Sequence, residues 1–196
     1  MKPLILASGS PRRAKILRDL DVEFEIVKTE AVEVSIPHDP VRTVTENALA
    51  KLRAAELATS AALPQAATSA ALPMPRAILA ADTIVWFDNR IYGKPRDLDE
   101  AKEFLRELSG QTHVVFTGVA FRAEDGTERT ACVESHVTFR ELSEAMIKEY
   151  VARVHPTDRA GAYDIDESGD LIVASYTGSY ENIMGLPLEP VRDWLA

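Results

Sequence analysis

Cysteine is nearly absent. Cys132 is alone in 196 residues, so no internal disulfide framework can form, and a reducing compartment suits the chain. Positive charge is also scarce: 22 Lys and Arg stand against 31 Asp and Glu, for a net charge of −9. That balance argues against the broad basic surface that general nucleic-acid binding needs. Long apolar runs are missing too. The opening run Leu4-Ile5-Leu6-Ala7 is too short for a signal-peptide core, and nothing approaches a membrane span. The expectation is a cytoplasmic protein with neither nucleic-acid nor membrane partners. GxxxxGK[ST] and GxGxxG do not occur, which removes the P-loop and the dinucleotide fingerprint. No Ser-His-Asp, Cys-His or zinc-type spacing is found either. His113 and His136 read as packing or surface residues of strands rather than metal ligands.

What is present is an ordinary globular composition, 46% hydrophobic and 27% charged, long enough for one well-packed core. The stretch Leu4 to Arg13 is its most informative part. Four apolar residues predict a buried strand, Ser8-Gly9-Ser10 a turn, and Pro11 the first residue of a helix capped by Ser10. Such a helix points unpaired N–H groups and the positive end of its dipole at one place. Ser8, Ser10, Arg12 and Arg13 add hydroxyls and guanidinium groups there, making a candidate phosphate cradle. The bland alternative is an ordinary capped helix with two solvated arginines.

Further on, residues 22–27 alternate as a half-buried strand. Asp39 can cap a helix from about Val41 whose apolar stripe is Val44, Ala48, Leu49, Leu52 and Ala55. Lys51 falls off that stripe, as a solvent-facing lysine would. Residues 58–64 and 67–73 repeat one heptapeptide, Ala-Thr-Ser-Ala-Ala-Leu-Pro, and residues 58–76 read as a mobile surface insertion. Ala77 to Ala81 predicts a central strand that runs on into Asp82-Thr83, and Asp88-Asn89 makes a hairpin turn. An Asp inside an apolar strand is unexpected unless it is paired or holds a cation. Local backbone N–H groups are its alternative partners. Lys94 can lie near Asp82 if the hairpin folds back. Asp97 to Glu100 suggests a capping box for a helix through Leu108. Strands are expected over residues 112–121 and 129–139, then a helix over 142–154, a turn-rich section, and a closing helix over 188–195.

Together these features describe an α/β protein offering an anion cradle, separate lysines, and carboxylates at a strand end (Asp82) and in a loop (Glu33). Such a set handles a phosphorylated small molecule with a divalent cation.

Ala7-Ser-Gly-Ser-Pro-Arg-Arg13, Ala81-Asp-Thr83, Gly93-Lys-Pro95, Leu108-Ser-Gly-Gln-Thr-His113, Ala160-Gly-Ala-Tyr163 and Met184-Gly-Leu-Pro-Leu188 closely resemble the Maf family of house-cleaning nucleoside triphosphate pyrophosphatases. The matches run in order over residues 4–188, and only the repeat insertion has no counterpart. The resemblance implies one domain over residues 1–196 with a fold like that of inosine triphosphate pyrophosphatases. That fold has a long mixed sheet flanked by helices, a cleft between two lobes, and usually a homodimer. The implied reaction cleaves a nucleoside triphosphate to the monophosphate and pyrophosphate with Mg²⁺, or with Mn²⁺ or Co²⁺. Asp82 takes the place of the proton acceptor. Ser8, Ser10, Arg12 and Arg13 match the phosphate signature. Lys51, Lys94 and Glu33 match charged cleft residues, and Glu33 and Asp82 are the implied metal ligands.

Arg12 and Thr83 agree with the branch acting on dTTP, UTP and modified pyrimidine nucleotides. Asp166 replaces the glutamine this branch ordinarily has for choosing the base. An ionised Asp accepts hydrogen bonds but cannot donate them. The 7-methyl-GTP branch tends to have a carboxylate there, so the dTTP/UTP assignment keeps that alternative beside it. A nucleotide-binding regulator of cell division without turnover is the alternative of a different class.

Overall fold

The computed structural model describes residues 3–61 and 76–195. Strand β1 (Leu4–Leu6) leads through Ser8-Gly9-Ser10 into helix α1 (Pro11–Asp19), with Ser10 as N-cap and Pro11 at the first position. Strand β2 (Phe24–Ile26) is shorter and more open than its alternation suggests, with Ile26 47% exposed. Among the described residues it is an edge strand, paired only with β1. Helix α2 (Pro40–Ala61) starts where Asp39 Oδ1 accepts the Arg42 N–H, and it buries Val44, Ala48, Leu52 and Ala55. It takes in residues 58–61, which the sequence assigns to the insertion. Of the rest of the expected excursion, residues 62–75 lie outside the described residues, and Arg76 at its far end donates to the Pro3 carbonyl and to the Glu25 carboxylate.

Strand β3 (Ile78–Phe87) turns at Asp88-Asn89, both at positive φ, into β4 (Arg90–Tyr92). Helix α3 (Leu98–Leu108) is capped by Asp97, which accepts from the N–H groups of Asp99 and Glu100. The Glu100 carboxylate reaches back one residue further than a capping box requires, to the Arg96 N–H. Strands β5 (Thr112–Arg122) and β6 (Glu128–Phe139) form a long hairpin. Helix α4 (Glu144–Val154), strand β7 (Val173–Thr177), helix α5 (Tyr180–Met184) and helix α6 (Leu188–Leu195) complete the chain.

The sheet order is β2-β1-β3-β5-β6-β7, with β4 added to β3. β1 pairs parallel with β2 and β3, and every other pairing is antiparallel. Strand alternation distributes β3 between the two faces. Ile78 and Ala80 pack under α2 with Ala48, Leu52 and Ala55, whereas Leu79 and Ala81 pack with α1 and α6 on the other face. Farther along, α3 and α4 cover Val85, Val115, Val137 and Phe139. His113 is fully buried there, edge-on to Phe139 and Tyr163, with Nε2 3.0 Å from the Tyr163 hydroxyl. His136 is exposed. Among the described residues no helix is long and apolar enough to cross a membrane.

The contact between α2 and the sheet is unusually close. Gly118 on β5 lies opposite Asp82 in the β3–β5 ladder. A Cβ placed on it would be 2.5 Å from the Val44 carbonyl carbon and oxygen. Only glycine lets the backbone of α2 descend this far.

Candidate active site

β1 pairs with β3 as far as Leu79, and β4 pairs with the same strand only from Val85 onward. Between those points, among the described residues, no strand covers that edge of β3. The gap opens a cleft of about 750 Å³ between the α1 turn, the 28–35 loop, α2, β3 and the 158–165 turns. Because the edge is open, adjacent residues from opposite faces of β3, Asp82 and Thr83, both line it.

On the α2 face, Asp82 is 6% exposed and both of its carboxylate oxygens are engaged. Lys51 Nζ donates to Asp82 Oδ1 (2.5 Å) and to Glu33 Oε1 (2.8 Å). The Lys51 side chain is only 14% exposed. It therefore turns in along the edge of the apolar stripe, not out to water as its helical position suggested. Asn47, one turn earlier on α2, donates through Nδ2 to Asp82 Oδ2 (3.0 Å). Glu33 is half-exposed. Partial burial works to raise its carboxyl, but the hydrogen bond and charge of Lys51, with Lys94 and Arg13, outweigh this and hold it below the usual carboxylate value.

On the α1 face the cradle is built as a cap. Ser10 Oγ accepts the Arg13 N–H, and Ser8 Oγ accepts from the Ser10 N–H (3.2 Å) and from Arg13 Nη1 (3.1 Å). Each serine oxygen is thus engaged within the turn, while its own hydrogen remains to be donated. Arg13 also donates through Nε to the Gly185 carbonyl (2.8 Å) and through Nη2 to Thr83 Oγ1 (3.0 Å). Burial lowers its pKa to about 10, so it remains a cation at neutral pH. Thr83 and Thr117 hydroxyls are 3.0 Å apart, and Thr117 Oγ1 donates to the Asn182 carbonyl (3.0 Å). With one hydrogen per hydroxyl, the chain runs Arg13 to Thr83 to Thr117 to Asn182, and Thr83 has only a lone pair left for a ligand. Gly185, at φ +105°, closes α5 over this network; a Cβ there would sit 3.1 Å from Thr83 Oγ1.

Arg12 is held differently. Its Nη1 donates to Asp164 Oδ2 (3.0 Å), which also accepts from Arg159 Nε (3.0 Å). Burial alone would raise the Asp164 carboxyl, but Arg12, Arg159 and the Asp166 N–H bring it below its ordinary value. Asp164 lines the cleft; Asp166 does not. The Asp166 carboxylate is exposed and accepts from the Tyr180 hydroxyl (3.1 Å). Lys94 is exposed at the cleft rim, near enough for its charge to act on Glu33. Lys28, not singled out by the sequence, lays its stem along Gly9. Among the described residues five cationic side chains thus line the cleft against four carboxylates, Glu33, Asp82, Asp158 and Asp164. This is the reverse of the protein's overall balance, and it suits a polyanion. Asn47 and Asp164 also went unassigned in the sequence. The available signals were the four-residue spacing of Asn47 from Lys51 and the place of Asp164 beside Tyr163 in a glycine-rich turn.

Among the described residues no three His, Cys, Asp or Glu side chains converge into a metal cage. Glu33 and Asp82 nevertheless meet at a single ammonium. Two hard carboxylate oxygens facing one positive charge fit a small divalent cation, which takes one or two protein carboxylates and completes its shell with water and substrate phosphates.

A family model described as Maf-like protein matches residues 3–196. The chain is 41% identical over 188 residues to a dTTP/UTP pyrophosphatase of Bacillus cytotoxicus, spanning 96% of this chain and 91% of that one. It is 42% identical, with the same coverage, to a dTTP/UTP pyrophosphatase of Bacillus cereus. Among solved structures it is similar to a nucleoside-triphosphatase/dITP/XTP pyrophosphatase from Mycobacterium abscessus. That match has 16% identity and a TM-score of 0.40, over 72% of this chain and 76% of that one. The Staphylococcus aureus Ham1 protein matches at 12% identity and a TM-score of 0.47, over 71% and 73%.

Proposed function

The chain belongs to the Maf-like family, and from that premise we propose that it hydrolyses dTTP and UTP to the monophosphate and pyrophosphate. The observation that carries this reading is the buried Asp82 carboxylate, braced by Lys51 and Asn47, in a cleft whose other wall is a helix N-terminus with two arginines. Relatives with 41% and 42% identity that are named dTTP/UTP pyrophosphatases supply the substrate class.

In the proposed reaction water attacks the α-phosphorus and the bond from that atom to the α–β bridging oxygen breaks. Pyrophosphate leaves, and Asp82 takes the proton of the attacking water. Arg12, Arg13, Lys28 and the α1 N-terminus bind the phosphates and stabilise charge developing on the departing pyrophosphate. Lys51 holds Glu33 and Asp82 at one place and neutralises them. A divalent cation, Mg²⁺ foremost, would be held by Glu33 and Asp82 and would supply charge neutralisation at the phosphates. A cytoplasmic homodimer without nucleic-acid or membrane partners completes the reading.

Asp166 is the one residue that favours 7-methyl-GTP, and its exposed side chain outside the cleft lining weakens that alternative. The test is pyrophosphate release from dTTP, UTP, 7-methyl-GTP and the common nucleotides with Mg²⁺, Mn²⁺ or Co²⁺. Asp82→Asn should lower the dTTP rate by about 10²-fold or more. No turnover of any triphosphate by the wild type ends the reading; full rate in Asp82→Asn removes Asp82 as the base.

A further inference from the structure

Asn47 is 3% exposed and uses every hydrogen-bonding group of its amide. Oδ1 accepts the Val34 N–H (2.7 Å), while the two Nδ2 hydrogens go to the Val34 carbonyl (3.0 Å) and to Asp82 Oδ2 (3.0 Å). The reversed amide would place an oxygen against both the Val34 carbonyl and the Asp82 carboxylate, so the chemistry of the partners fixes its orientation. One side chain thus ties the loop bearing Glu33 to the strand bearing Asp82. Lys51, a turn further along α2, makes a second tie between the two carboxylates.

The two ties differ in kind. Lys51 is a long aliphatic chain ending in a charge, and a cation bound between Glu33 and Asp82 would compete with it. Asn47 is short, neutral and anchored to backbone at two points, so it holds its place whatever the charge state of the cleft. It grips Asp82 by the oxygen that Lys51 leaves free, which fixes the rotation of the carboxylate and therefore the direction in which Oδ1 faces the cleft. The backbone clamp on Val34 fixes the residue immediately after Glu33.

We propose that Asn47 is a positioning residue for the hydrolysis, setting the orientation of the Asp82 carboxylate and the approach of the Glu33 loop to it. This rests on Asp82 acting as proposed above. A misplacement of about 1 Å in a reacting group can cost 10²-fold in rate, and a side-chain amide is the only link of this rigidity between the two segments among the described residues.

The experiment is a double-mutant cycle with dTTP and Mg²⁺, using Asn47→Ala, Asp82→Asn and the combined variant, each confirmed folded by circular dichroism and thermal melting. Asn47→Ala should lower kcat by 10- to 100-fold in the wild-type background, with KM within threefold. In the Asp82→Asn background it should lower the residual rate by less than threefold, because the group it positions has gone. Amide exchange at Val34 should accelerate in Asn47→Ala. Asn47→Ser enters the same cycle if the alanine variant does not fold. An equal loss in both backgrounds shows a merely structural role and overturns the proposal, as does a kcat within twofold of wild type. Full activity in Asp82→Asn alone overturns the reading of Asp82 first, and the proposal with it; that result is seen before any Asn47 variant is made.

Discussion

Gly118→Ala adds one methyl group to a residue that does not line the cleft, and it should nevertheless disable the site. The added carbon would lie 2.5 Å from the Val44 carbonyl carbon and oxygen and 2.9 Å from the Thr45 nitrogen, all backbone of α2. Ordinary contact begins near 3.4 Å, so helix and sheet must separate by about 0.9 Å, and no side-chain rotamer can absorb this. Overpacking of this kind costs about 1–3 kcal/mol, or several degrees of melting temperature in a chain of this size. The catalytic consequence is larger. Gly118 is the ladder partner of Asp82, and Val44 precedes Asn47 by one turn of α2 and Lys51 by two. A retreat of α2 lengthens the hydrogen bonds from Asn47 (3.0 Å) and Lys51 (2.5 Å) to Asp82 together. A displacement of that size predicts a kcat loss of about 10²-fold. The assay is pyrophosphate release from dTTP at saturating substrate and 10 °C below the variant's melting temperature, so that unfolding is not what is read. A variant melting within 1 °C of wild type, with kcat within twofold, would refute the claim that α2 is set at its height by this contact.

Two further outcomes concern pH. Burial brings the His113 imidazole down to about 3, whereas the unfolded chain takes up this proton near 6.5. Its contribution is complete well above pH 6.5 and falls as the pH drops toward 3, approaching about 1.4 kcal/mol per unit, so the loss between pH 6.5 and 4.5 is on the order of 2 kcal/mol. Urea unfolding of His113→Leu should show a correspondingly shallower fall over this interval, and equal slopes would mean that His113 is not held neutral. The Asp164 carboxyl is held low by Arg12 and Arg159 against the cost of its burial. Its stabilisation is therefore present above the unfolded value near 3.9 and is lost as pH falls through the lower folded value. Asp164→Asn should cost about 1–3 kcal/mol at pH 7, with a melting-temperature gap to wild type that narrows below pH 4; a gap independent of pH would separate the effect from charge.

Much of the architecture was legible because it is written in short-range patterns. Strand, Ser-Gly-Ser turn, capping Ser10 and Pro11 are neighbours in the chain, so their geometry follows from local stereochemistry. The apolar stripe of α2 and the Asp88-Asn89 turn are local in the same sense. Asp82 stood out because a carboxylate in an apolar strand demands a partner, but the partner was another matter. Lys51 and Asn47 flank the apolar stripe, and whether a flanking residue faces water or the sheet depends on how low the helix sits. That height is set by Gly118, dozens of residues away. Asp166 shows the converse: it lies in a stretch that resembles base-choosing positions, yet the turn sends Asp164 into the cleft and leaves Asp166 outside.

While β7 and α5 were hidden in a turn-rich section, the amino-acid sequence by itself determined most of the other elements, the capped helix start, the isolated carboxylate and the family. These depend on residues close together in the chain or on motifs that recur intact. Only the tertiary structure decided where the cleft opens and what faces it. The gap between β1 and β4 along β3 follows from pairing between distant segments, and it is what lets Asp82 and Thr83, on opposite faces of one strand, share a site. The cradle, read from the chain as hydroxyls and guanidinium groups gathered at a capped helix start, is in three dimensions a network in which Arg13, Ser8, Ser10 and Thr83 hold one another. Hydrogen-bond partners that close such a network are chosen by distance in space, and distance along the chain does not encode it.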